Sequence, residues 1–116
     1  MSNARLILNE TGQERIWRGG VWKEGTFSGQ WLTGRFENGV WSGGVWHDGI
    51  WQRGVWETGA WKKGEWRGGV WNGGTWHSGV WKGGDWFDGH WFDGQHVGGE
   101  WHGGMWLSGK IGRAHV

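Results

Sequence analysis

Residues 39–61 read GVWSGGVWHDGIWQRGVWETGAW, and this stretch decides the fold. Gly39, Gly44, Gly49, Gly54 and Gly59 stand five apart, and each is followed two residues later by Trp41, Trp46, Trp51, Trp56 or Trp61. Working outward, the same beat continues without a gap from Gly29 to Gly109. The large slot holds Trp everywhere from 31 to 106 except at Phe36 and His96. A fixed short period marks a chain built as a stack of equal units. Upstream, Trp17, Trp22 and Phe27 keep the same spacing, but Trp31 arrives after only four residues.

A period of five fits neither the 3.6 of a helix nor the alternation of a flat strand. Glycine at every fifth position costs about 1 kcal/mol each in a helix interior. The residue before Trp favours β-branched types, as in Val40, Val45, Ile50, Val55, Val70, Thr75 and Val80, which suit extended backbone. After Trp come polar or small pairs and then glycine, which reads as a turn: Ser42-Gly43, His47-Asp48, Gln52-Arg53. One pentad is therefore a very short strand and a bend.

The inward slot follows by elimination. The position before Trp includes Arg35, Glu65, Asp85 and Glu100, and the two after it carry charges more often still. Only the Trp slot and the Gly slot two before it lack charges between 29 and 109. Unpaired charges are almost never buried, so Trp and Gly are expected to share the interior, glycine making room for the indole. Glycine at 28 of 116 residues would suit a flexible chain, but disordered chains are poor in bulky apolar residues. Each of the 16 Trp can bury about 150–250 Å².

The slot pattern, with Gly-Val-Trp-Ser-Gly at 39–43 and Gly-Val-Trp-Asn-Gly at 69–73, resembles pentapeptide-repeat proteins, with Gly for Ala and Trp for Leu. Phe27 and Phe36 match that family's own central residue. The resemblance implies an all-β, short right-handed β-solenoid, four-sided, with four pentads in a coil of about 20 residues. On that coil Trp31, Trp51, Trp71 and Trp91 would form one column, and Phe36, Trp56, Trp76 and His96 another. The body would be a stub roughly 24 Å tall at the usual strand spacing. Trp paired with Gly is bulkier on one side and emptier on the other than the family's residues, which points to a reshaped coil. A second resemblance is local: Phe27-Ser28-Gly29-Gln30-Trp31-Leu32-Thr33-Gly34 is similar to a MORN repeat, with a MORN-like β-hairpin array as the alternative architecture. The four-residue step into Trp31 reads as a bulge on the solenoid interpretation. Residues 1–14 are expected to form an N-terminal cap carrying Leu6, Ile7 and Leu8, residues 15–111 the repeat, and 112–116 a tail.

Composition narrows function. With no cysteine, neither a disulfide framework nor a thiolate metal site is available. A net charge of +1, with 12 basic and 11 acidic residues interspersed, gives no field to recruit nucleic acid or an anionic membrane. Lys62 and Lys82, one twenty-residue coil apart, and Glu65 over Asp85 are charge stacks that coil suggests. No apolar run approaches a membrane span or a signal-peptide core, so the chain reads as soluble. A virion or extracellular fibre would suit such a module.

Asp85, Asp88, His90 and Asp93 surround the duplicated Trp-Phe-Asp-Gly stretch and are the candidate metal ligands. On the twenty-residue coil they lie on different faces, so no metal and no other cofactor is expected. No nucleophile–His–acid set converges in that register either, which argues against an enzyme. His96 in the core slot reads as a ring substitution. Once every Trp is assigned to the core, Phe87 and Phe92 remain outside as the candidate binding residues, one pentad apart on neighbouring faces. The reading is a non-catalytic structural or assembly module. It would self-associate, or dock on a neighbouring protein, through the solenoid ends, the C-terminal edge above all. A carbohydrate- or protein-binding module is the alternative.

Overall fold

The computed structural model describes residues 15–107, together with the backbone of 6–8 and 110–111. The chain is an all-β solenoid whose interior is a ladder of buried indoles. From Arg35 onward most strands are two residues long, the Trp and the residue before it, as in Ile50–Trp51 and Glu65–Trp66. Each pairs in parallel with the strand fifteen residues on: Ile50 lies against Glu65 and Trp51 against Trp66. Glu65 then lies against Val80, and Trp66 against Trp81. The ladder is closed by main-chain hydrogen bonds from coil to coil, such as Glu65 N–H to Gly49 O at 2.9 Å and Arg67 N–H to Trp51 O at 2.8 Å.

A coil is therefore three pentads, fifteen residues, and three-sided. This corrects the four-sided coil of about 20 residues. The columns are Trp41, Trp56, Trp71, Trp86, Trp101 on one face and Trp46, Trp61, Trp76, Trp91, Trp106 on the next. Phe36, Trp51, Trp66, Trp81 and His96 occupy the third, with Ile111 in register beyond them. Two physical causes favour three sides. Glycine corners at φ of +87° to +129° between Gly29 and Gly104 allow a swing of a third of a revolution per pentad. Three indoles then close the interior edge to face. Trp56, Trp61 and Trp66 stand 5.8, 5.7 and 6.5 Å apart, with planes 69–75° apart. Each ring also stacks on the coil above, at 4.6 Å for Trp56–Trp71, 4.8 Å for Trp61–Trp76 and 4.7 Å for Trp66–Trp81. Both arrangements are favourable for aromatic quadrupoles. A fourth ring per layer would open an unfilled axis, and lining atoms without partners forfeit dispersion energy.

One column carries seven rings, Trp17, Trp31, Trp46, Trp61, Trp76, Trp91 and Trp106, in steps of 4.5–5.0 Å. The body is thus taller and narrower than the expected stub. Trp22, Trp101 and Trp106 are partly buried, and every Trp between Trp31 and Trp91 is fully buried. His96 is 1% exposed and stacks on Trp81, a ring substituting in the core slot as expected. The indole N–H groups of Trp51, Trp56 and Trp76 donate to the carbonyls of Gly68, Gly73 and Asp93. Those of Trp46, Trp61, Trp66 and seven others are buried without a partner, so stacking and apolar burial carry the core.

Glycine does not share the interior with Trp. The repeated glycines sit at the corners, partly exposed, and their lack of a side chain serves the backbone. A Cβ on Gly64 would stand 2.5 Å from Gly49 O, in the coil beneath, and 3.2 Å from Trp46 Nε1. What excludes a side chain is chiefly the neighbouring coil's main chain.

The bulge reading of the short step holds. Upstream of it Trp17 pairs with Trp31 and Trp22 with Phe36, fourteen residues apart, and the register shifts between Phe27 and Ser28. Thr26–Trp31 runs parallel to Val40–Trp46, so the hairpin alternative fails at 27–34. Among the described residues the only antiparallel pairing joins Leu6–Leu8 to Arg15–Trp17. The remainder of the expected cap, and the tail at 112–116, lie outside the described residues.

Candidate functional site

Rings fill the interior, so what the molecule offers a partner is its outer surface. That surface has a simple grammar. The residues immediately before and after each Trp flank an inward ring, and each stands over its counterpart fifteen residues on. Side chains two positions apart on one strand end and fifteen apart on adjacent coils become neighbours.

Glu65 shows the grammar at work. Its Oε2 lies 2.6 Å from Arg67 Nε, two residues on, and 3.3 Å from Lys82 Nζ in the next coil. The Arg67 hydrogen bond, with help from Lys82, holds the Glu65 carboxyl below its ordinary pKa. The expected Lys62–Lys82 and Glu65–Asp85 stacks are absent, because the register is fifteen. Lys62 lies beneath His77, whose pKa is pushed down by burial and then by that ammonium.

The four candidate metal ligands separate. Asp88 and Asp93 each accept the following glycine's N–H at 2.8 Å, shaping their own turns. His90 turns toward Phe92, with ring centroids 6.4 Å apart. Asp85 alone joins a cluster, and its partners are Glu100 and His102. His102 Nε2 is 3.1 Å from Asp85 Oδ1 and 3.9 Å from Glu100 Oε1. The sequence carried the signal for this trio in the fifteen-residue offset from 85 to 100, which the twenty-residue coil hid.

Phe87 and Phe92 are exposed, at 44% and 40%, and lie on adjoining faces. Neither is bare. Phe87 stacks on His102 at 4.5 Å, and Phe92 on His77 at 5.5 Å. Val97, Met105 and Leu107 are the other exposed large apolar residues among those described. All five fall in the last two coils. No helix of the described residues is long and apolar enough to cross a membrane. No protein-family model matches this chain, and comparison with curated proteins returns no match.

Proposed function

We propose that this chain is a non-catalytic structural module, a rigid solenoid that holds a fixed spacing and assembles through its C-terminal coils with a second copy of itself. The observation that carries this reading is the uneven surface. Phe87, Phe92, Val97 and Leu107, each just after a core ring, and Met105 are exposed in the last two coils, over all three faces, whereas from Glu37 to Lys82 every residue after a core ring is polar or charged. Exposed apolar side chains concentrated toward one end of the solenoid mark that end as an interaction surface. The solenoid supplies rigidity, because every coil is hydrogen-bonded and ring-stacked to the next. Its strand edges supply a template for pairing. At the other end, Leu6–Leu8 already pairs onto Arg15–Trp17, which favours the C-terminal coils as the assembling end.

Analytical ultracentrifugation over a dilution series tests this. The expected result is a concentration-dependent dimer that Met105→Glu with Leu107→Glu converts to monomer without loss of β signal. A monomer at every concentration, or a dimer untouched by the double substitution, overturns it.

A second reading is favoured by one observation. Phe92, stacked on His77 with His90 beside it, presents an aromatic face of the kind on which sugars stack. On that reading the chain is a carbohydrate-binding module. Glycan-array signal abolished by Phe92→Ala supports it, and a blank array removes it.

A further inference from the structure

We infer that Asp85, Glu100 and His102 form a binding site for one divalent first-row metal ion, of the zinc, cobalt or manganese type. The inference is independent of the assembly role. Asp85 and Glu100 occupy the same position before Trp86 and Trp101 on paired parallel strands, so the ladder stacks one carboxylate directly over the other. His102 follows Glu100 by two residues and leans back over the same spot. Its main-chain N–H is anchored to Trp86 O at 2.7 Å, and its ring lies flat on Phe87, with planes 12° apart. Packing thus fixes the imidazole face and leaves its Nε2 edge toward the two carboxylates.

The donor atoms all lie within 4.8 Å of one another, with Nε2 at 3.1 Å from Asp85 and 3.9 Å from Glu100. A metal with ligand bonds of 2.0–2.2 Å in tetrahedral array sets its donors about 3.3–3.6 Å apart. The two separations from Nε2 bracket that spacing, so side-chain rotations of the two carboxylates complete the geometry. One nitrogen and two carboxylate oxygens suit borderline divalent ions, and the outward side stays open for water or a fourth ligand.

Charge supplies the second argument. Glu65 occupies the equivalent position on another face and is matched by two cations, Arg67 and Lys82. Asp85 and Glu100 form their ion pairs, among the described residues, with His102 alone. Two stacked carboxylates thus share a single imidazole, where Glu65 alone has two cations. Like charges directly opposite on neighbouring strands are destabilising. A divalent ion offsets both charges at once.

The test is calorimetric titration of the full chain with zinc chloride near neutral pH, with cobalt(II) absorption as a second readout. The expected result is one ion per chain, with at least tenfold weaker binding in both His102→Ala and Asp85→Asn and no change in His77→Ala. Asp85→Asn keeps the His102–Phe87 stack, so its loss of affinity cannot come from a displaced ring. Cobalt bands in the visible should appear with the parent chain and vanish with His102→Ala. Absence of binding overturns the proposal. So does equal weakening by His77→Ala and His102→Ala, which would mean that scattered surface histidines collect the ion.

Discussion

Replacing Gly64 with alanine tests the central geometric claim, that the corner glycines exist for the backbone of the neighbouring coil. Gly64 has φ of +125°, a region essentially reserved for glycine, and forcing another residue there costs about 1–3 kcal/mol. The new Cβ would stand 2.5 Å from Gly49 O, where real Cβ contacts stay at or above 3.0 Å. The coils must therefore part by about 0.5 Å at that corner. That strains the 2.9 Å bond from Glu65 N–H to Gly49 O, and a weakened bond of this kind is worth about 1 kcal/mol. Trp46 Nε1, at 3.2 Å from the same Cβ, closes the inward escape. The combined loss is about 2–4 kcal/mol. Gly43→Ala is the matched control. Its backbone φ is not positive, and its Cβ would meet only Thr58 Cγ2 at 3.9 Å, so the change should be neutral or mildly stabilising. Urea denaturation followed by far-ultraviolet circular dichroism reads both. A Gly64→Ala variant within 1 kcal/mol of Gly43→Ala would falsify the corner argument.

Trp66→Ala removes one ring from a closed three-ring layer and should cost about 3–5 kcal/mol in the same assay. Trp66→Phe should cost markedly less, since the lost indole N–H has no partner and Phe36 already fills that column. Glu65 has a depressed folded-state pKa, so its contribution is present above the unfolded carboxyl value and is lost as pH falls through the folded one. Glu65→Gln should flatten that acid limb by about 1 kcal/mol or less, as suits a pair open to solvent, when stability is measured across pH 3–6. His77 also has a depressed pKa, so the unfolded chain takes up its proton first and stability falls as pH drops below the ordinary imidazole value. Lys62→Gln should raise the His77 pKa in an NMR titration, and an unchanged value would argue against the fifteen-residue register that places Lys62 beneath it.

Strand, turn and core slot are legible in the sequence because charge is excluded from the Trp position and β-branched residues gather before it. The number of pentads per coil is not legible from the core. Every pentad presents the same inward side chain, so columns of Trp appear at ten, fifteen or twenty residues alike. The discriminating signal lies in the polar positions. Gln30 with His47, Glu65 with Lys82, and Asp85 with His102 are all seventeen residues apart and all in contact. That offset is one fifteen-residue coil plus the two residues that separate the flanks of a Trp. A twenty-residue coil conceals Glu100 and His102 beside Asp85. The glycines misled for a related reason. Absence of charge at that slot reads as burial, whereas at Gly64 the constraint is a positive φ and a carbonyl in the adjacent coil.

The interchangeability of pentads sets how such a chain can change length. An added five-residue unit between Arg67 and Lys82 would leave the indoles inside the columns with a ring above and below, yet carry Lys82 round to the adjoining side and away from Glu65. Interior packing is indifferent to such an insertion, whereas every polar contact spanning the joint is reshuffled. Growth in steps of five thus rewrites the molecule's exterior while its scaffold stays intact.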